Sequence, residues 1–296
     1  MSSPMSDTIT SPSSLTVFTP GAGGPVLFPT DFSEQSKGAF EYACELATRL
    51  HEPLILVHVY DAAPLPEWTP ADFAKQMHDE KEKKAKAHFA EYEAIARSKG
   101  IIFQTKILSG VAEAAIPALA VSEKAGIIVM GTQGNSSLYE TLSGSVTTRI
   151  MQSVNCPVLA VPSGIHIRPF LHIIYASNFE SEDVQVVNQM LRLAALWGSR
   201  ITCLHVQTGD EAADRQPDAA YMADMRKMEP SELRLRFQTI RDTEVSSGLQ
   251  RFISMENPDL MVMLRHQRSP LERYLNPSYT RKMTLHTHLP LLAFHF

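Results

Sequence analysis

Apolar runs and helical stripes alternate along the chain. "PVLFPTDFSE" (25–34) opens as an apolar strand and closes in turn residues. Asp31 and Glu34 have the spacing of a capping box for a helix starting nearby. "KGAFEYACELATRLH" places Ala39, Ala43, Leu46, Ala47 and Leu50 on one face of a helix with a period of about 3.6 residues. "PLILVHVYD" (53–61) is continuous and β-branched, the mark of a strand buried on both faces. Residues 71–98 read as a long charged helix stopped by Gly100. "IIFQTKIL" is a third strand. "VAEAAIPALAVSEKAG" is a helix with Pro117 in its first turns or at a kink, and "IIVM" is a fourth strand. The loop "GTQGNSSLYETLSGS" (131–145) follows, then a helix to about Val154, then a fifth strand in "PVLAVP" (157–162).

Strands alternating with helices predict βαβ units and a parallel sheet covered on both faces. The second half of the chain repeats the first. "LHIIYASNFESEDVQVVNQMLRLAALWGSRITCLHVQ" (171–207) parallels the opening, with Asn178 on Asp31 and His205 on His58, each 147 positions on. "DLMVMLRHQRSPLERYLNPSYTRKMTLHTHLPLLAF" (259–294) parallels the fourth strand onward with an offset of 133, so the second copy is 14 residues shorter in its middle. The fold class is therefore α/β: two tandem doubly wound domains, each a mostly parallel five-stranded sheet with helices on both faces. The domains are expected over 25–164 and 165–296, after a Ser-, Thr-, Pro- and Gly-rich disordered tail over 1–24 that lacks the pattern of a signal peptide.

Composition narrows the function. A formal net charge of −5 gives no electrostatic footprint for nucleic acid. No apolar run approaches the ~18 residues that span a bilayer. Cys44, Cys156 and Cys203 are scattered and form no CxxC, which fits buried thiols in a reducing compartment. Those features predict a cytoplasmic protein with no nucleic-acid or membrane partner.

Ligands of doubly wound sheets bind beyond the carboxyl ends of the strands. The loop 131–145 and Asp31 both sit at such ends. The first copy has Gly131, Gly134 and Gly144 where the second has Leu264, Gln267 and Pro277. The scaffold repeats without those glycines, so they point to a ligand in the first half. Between Gly131 and Thr148 the one charged side chain is Glu140, and no GxxxxGK[ST] occurs. Anions there would meet backbone dipoles and hydroxyls. His58 and its repeat His205 read as core histidines. His286, His288 and His295 form no metal-ligand spacing, so no metal site is expected.

"PTDFSE", "LVHV" and "VMGTQGNSSLYETLSGSVTTRIMQSVNCPVLAVP" resemble a universal stress protein domain. The family's signature of Gly, two residues, Gly, nine residues, Gly, then Ser or Thr is matched by Gly131, Gly134, Gly144 and Ser145. One departure is Gly126, where the family often has Asp; the second copy keeps Asp259. The resemblance implies ATP, or AMP or ADP, with or without Mg²⁺, held across the strand ends. It implies an ATP-binding set of Pro29, Thr30, Asp31, Val59, Met130, Gly131, Gly134, Asn135, Gly144, Ser145, Val146 and Thr147. Asp31 would lie at the adenine, Val59 in the base pocket, Met130 near the ribose, and the glycines and helix start at the phosphates. Catalytic residues are not expected. The implied role is a nucleotide-binding stress-response module with a degenerate second copy, the last strands of the two domains pairing within the chain, and a further homodimer. A slow ATPase or autophosphorylating phosphotransferase, and a nucleotide-free scaffold, are the alternatives.

Overall fold

The computed structural model describes residues 18–61, 68–132, 146–177, 183–209, 235–265 and 289–295. The first half runs β1 (Val26–Pro29), α1 (Lys37–Leu50), β2 (Leu54–Tyr60), α2 (Ala71–Ser98), β3 (Phe103–Ser109), α3 (Ala112–Ser122), β4 (Ile127–Gly131), α4 (Val146–Ser153) and β5 (Val158–Val161). The second runs β6 (His172–Ala176), α5 (Asp183–Ala195), β7 (Arg200–Gln207), β8 (Leu235–Arg241), α6 (Val245–Glu256), β9 (Leu260–Arg265) and β10 (Leu291–His295).

The strands form one ten-stranded sheet in the order β3-β2-β1-β4-β5-β10-β9-β6-β7-β8. Each half is parallel throughout. The halves join where β5 runs antiparallel to β10, with Leu291 opposite Ala160, Leu292 opposite Leu159 and Ala293 opposite Val158. In each half the order reverses beside the first strand, at β1/β4 and at β6/β9. This is the expected doubly wound α/β pattern.

Period-2 alternation splits every central strand between two cores. Val26 and Phe28, Ile127 and Val129, Leu159 and Val161, Leu292 and Phe294 face the layer of α1, α2 and α5. Leu27, Ile128, Met130, Val158, Ala160, Leu291 and Ala293 face the layer of α3, α4 and α6. Each core runs unbroken from one half into the other. A fully buried Leu, Ile or Phe contributes roughly 1.5–3 kcal/mol, so the residues around β5 and β10 bind the halves together. Aromatic packing adds to this on the α1 side: Phe170 stacks on Tyr42 at 5.2 Å and meets Trp197 at 5.1 Å. Arg49 of α1 lies over Trp197 and donates to the Leu196 carbonyl at 2.6 Å.

Two expectations need correction. Residues 18–24 do not belong to a disordered tail. Phe18 is buried edge-on against Phe294, Gly21 N–H donates to the Leu50 carbonyl at 2.7 Å, and Gly23 N–H donates to Glu52 Oε1 at 2.9 Å. Their Gly- and Pro-rich composition is turn chemistry: Gly21 and Gly24 have φ of 71° and 85°. Residues 1–17 lie outside the described residues. The capping box is also absent. Glu34 pairs with Lys37 at 2.8 Å, while Asp31 Oδ1 accepts from the Ser33 N–H and hydroxyl at 3.0 and 2.6 Å, an Asx turn. Pro117 lies in the middle of α3.

Candidate functional site

The site is built where β1 and β4 end side by side. Their register pairs Val26 with Ile127 and Leu27 with Ile128, and β1 pairs Pro29 with Val57 of β2. Continuing it sets Thr30 beside His58 and Gly131. Past β1 the chain turns tightly, and its polar groups bond within the turn and to β2. Thr30 N–H donates to the Val57 carbonyl at 2.8 Å. His58 donates through Nδ1–H to the Thr30 carbonyl at 2.8 Å. Phe32 N–H donates to Thr30 Oγ1 at 2.9 Å, and Thr30 Oγ1 lies 3.2 Å from Ser36 Oγ. Asp31 is left at the surface of this turn.

On the other side, Thr147 in the first turn of α4 donates its hydroxyl to the Gly131 carbonyl at 2.7 Å. That bond brings the start of α4 to the end of β4. The hydroxyl proton of Thr147 is committed to that bond. First-turn N–H groups lack partners within the helix and sit at the positive end of its dipole. The nearest cation on α4, Arg149, makes an ion pair with Glu113 of α3 at 3.1 Å. Val59 and Met130 both pack on the α3–α4 side of the sheet, next to the strand ends. Gly134, Asn135, Gly144 and Ser145 lie outside the described residues, as does Asn178.

The corresponding strand end in the second half is different. Met263 is buried like Met130, but at the next position Leu264 is 2% exposed and packs in the α5-side core, where the first half has half-exposed Gly131. At the end of β6, Asp183 is 2% exposed and accepts from the Tyr175 and Ser177 hydroxyls. The first half has Phe28, Thr30 and Ser36 at those three places, with no carboxylate. The histidine bond, in contrast, is shared: His205 donates through Nδ1–H to the Ser177 carbonyl at 3.0 Å.

Phe32 and His88 were not marked as site residues by sequence reasoning. Phe32 has φ of 61°, and its ring lies 4.4 Å from His58 and 4.9 Å from His88. Its signal in the sequence is the repeat itself: Asp31-Phe32 recurs as Asn178-Phe179. His88 has no such signal.

Other chemistry is limited. Burial pushes the Cys44 and Cys156 thiols up to about 12 and raises Cys203 as well, so thiolate is scarce at neutral pH. Among the described residues no group of three or more His, Cys, Asp or Glu could hold a metal ion. No described helix is long and apolar enough to cross a membrane. A cleft of about 550 Å³ opens at the free edge of β3, between Tyr60, His78 and Glu82 on one side and Ala115, Leu119 and Ser122 on the other. It shares no residue with the strand-end set.

A parallel sheet whose strand order reverses beside the first strand of each half defines a doubly wound α/β protein. The chain belongs to the universal stress protein family, whose model matches residues 24–162 and again 169–295. Universal stress protein MJ0531 of Methanocaldococcus jannaschii is 32% identical over 138 residues, covering 46% of this chain and 80% of that protein. Universal stress protein MJ0577 of the same organism is 27% identical over 150 residues, covering 46% of this chain and 93% of its own. A universal stress protein from Archaeoglobus fulgidus shares the fold along nearly the whole chain, with a TM-score of 0.70 at 16% identity, covering 94% of this chain and 97% of that one.

Proposed function

We propose that the N-terminal half binds an adenine nucleotide, ATP by the family resemblance, and that the C-terminal half is a degenerate copy that holds none. The observation that carries this reading is the contrast at one register position, half-exposed Gly131 against buried Leu264. A backbone without a side chain lets phosphates approach; a leucine folded into the core does not leave that opening. The buried Asp183 carboxylate adds a negative charge at the end of β6, which disfavours a phosphate there.

The base end would be formed by Pro29, Thr30, Asp31 and Val59, with Met130 beside the ribose. Gly131, Gly134, Asn135, Gly144, Ser145, Val146 and Thr147 would face the phosphates, with the first turn of α4 supplying N–H donors. Magnesium would arrive with the nucleotide. The two domains, 25–164 and 165–296, pair within the chain through β5 and β10, and two chains associate further as a homodimer. The role is nucleotide holding in a stress-response module rather than fast turnover. No lysine or arginine lies between Gly131 and Thr148, and Arg149 is engaged by Glu113, so this stretch offers developing phosphoryl charge no free side-chain cation.

The test is to release small molecules from purified protein for mass spectrometry and to titrate ATP, ADP and AMP by calorimetry, with and without Mg²⁺. One site per chain is expected, with turnover well below ~1 s⁻¹. Failure to find or bind any adenine nucleotide, or two equal sites per chain, would sink the reading.

A further inference from the structure

The turn after β1 contains a backbone conformation that needs holding. Phe32 has φ of 61°, a left-handed value that side chains with a Cβ rarely adopt. Such a residue persists only where its surroundings over-determine it. Here they do so from three elements. Within the turn, Phe32 N–H donates to Thr30 Oγ1 at 2.9 Å. From β2, the His58 ring lies 4.4 Å from the Phe32 ring, and His58 is itself fixed by its 2.8 Å bond to the Thr30 carbonyl. From α2, His88 stacks on the Phe32 ring at 4.9 Å with an interplanar angle of 22°, and Phe89 meets the ring edge-on at 4.9 Å. The ring is a rivet through β2, the turn and α2.

Asp31 immediately precedes this rivet. Its Oδ1 is held by the Ser33 N–H and hydroxyl, so its direction depends on the Phe32 backbone. Resting on the nucleotide reading of this site, we infer that Phe32 is a positioning residue for the base end, and that the His58–Phe32–His88 stack couples α2 to nucleotide affinity. The placement on α2 gives the coupling a reach. No residue of α2 before Ala85 is buried, so roughly its first half stands outside the core; among the described residues it meets the end of β2 through Tyr60 with His78 and Lys81 with the Asp61 carbonyl, and the rivet follows at His88. A disturbance of α2 is felt at Asp31 through Phe32, and by linkage an occupied site restrains α2.

The key variant is His88→Ala. His88 is exposed, so its removal spares the core. The expected result is an unchanged melting temperature with nucleotide Kd raised about 3- to 10-fold. Phe32→Gly removes the ring while accepting the left-handed backbone; it should weaken binding at least about 10-fold, and Phe32→Tyr should restore it. If the ring were only core packing, affinity would follow melting temperature and His88→Ala would bind normally. Wild-type affinity in both His88→Ala and Phe32→Gly overturns the inference. A second measurement does not depend on nucleotide: hydrogen exchange of the Phe32 and Ser33 amides in ligand-free protein. Faster exchange in His88→Ala supports the rivet, and unchanged exchange refutes it. Wild-type protein that binds no nucleotide would end the nucleotide reading and the coupling to affinity with it, and the exchange measurement would still decide whether His88 holds the turn.

Discussion

The two halves solve the same local problem in opposite ways at the head of their fourth strand. In the first half Gly126 lets residues 23–24 pass so close that a Cβ there would lie 2.2 Å from the Gly23 carbonyl oxygen. In the second half the same position is Asp259, whose carboxylate accepts from the Leu171 and His172 N–H groups at 3.0 and 2.9 Å and pairs with Arg168 at 3.3 Å. The backbone bond survives in both, from Gly126 N–H to the Pro25 carbonyl at 3.0 Å and from Asp259 N–H to the His172 carbonyl at 2.8 Å. One half fastens its entry segment by close approach, the other by charge and hydrogen bonding. The fold fixes the bond and leaves the means open. At the opposite end of these strands the halves differ again, with a partly exposed Gly131 in the first and a buried Leu264 in the second.

The comparison can be broken first at the seam. Leu159→Ala and Leu292→Ala remove partners paired across β5 and β10, both 1% exposed. Each should cost ~2–5 kcal/mol. Calorimetry should show the whole chain melting earlier in one transition, whichever half carries the change. Two separated transitions, with one unmoved, would mean the halves are independent.

Next comes the ligand asymmetry. Gly134→Leu with Gly144→Pro should weaken nucleotide binding at least about 100-fold, or ~2.7 kcal/mol. Gln267→Leu with Pro277→Ala should leave the dissociation constant within about twofold. Equal losses from both pairs would remove the distinction between the halves.

Gly126→Ala should destabilise by ~1–3 kcal/mol through overpacking against the Gly23 carbonyl. Asp259→Ala should cost about the same, by leaving two N–H groups and Arg168 without their acceptor. Urea midpoints measure both, and an Asp259→Ala midpoint equal to wild type would show that charge does not fasten the second half.

The smallest effect is in pH. His172 is held neutral: burial, then the Arg200 guanidinium at 2.9 Å, lowers its pKa below the usual 6.5. The unfolded chain therefore binds the proton more readily. The stability His172 contributes is present above pH 6.5 and is lost as pH falls from there toward its folded pKa. The first half has Pro25 at this position. Urea midpoints taken from about pH 7.5 to about pH 5.5 should fall in wild type, and fall less in His172→Gln. An identical slope in both proteins would acquit this residue.

Much of the architecture was legible because it rests on short-range pattern. The long helix occupies Ala71–Ser98, the span expected from its charge and the glycine stop, and each β-branched run became a strand. The parallel pairing within each half also followed from the βαβ alternation. At the candidate site, Asp31 and Gly131 stood out by residue type and by the contrast with the second copy. What escaped was long-range. Phe18 meets Phe294, and Phe32 meets His88 from a different element; such contacts leave no period in the sequence. Gly126 was visible as an anomaly, but its reason lies in a backbone about 100 residues away in the chain.

The antiparallel meeting of β5 and β10 has a genetic consequence. When two identical chains join through such a seam, every substitution appears on both sides at once, and a change that closes one site closes both. In a single chain the two sides are separate stretches of one gene. Each can drift, be repaired or lose its pocket alone, while the other remains bound to it and answerable for whatever the pair still does.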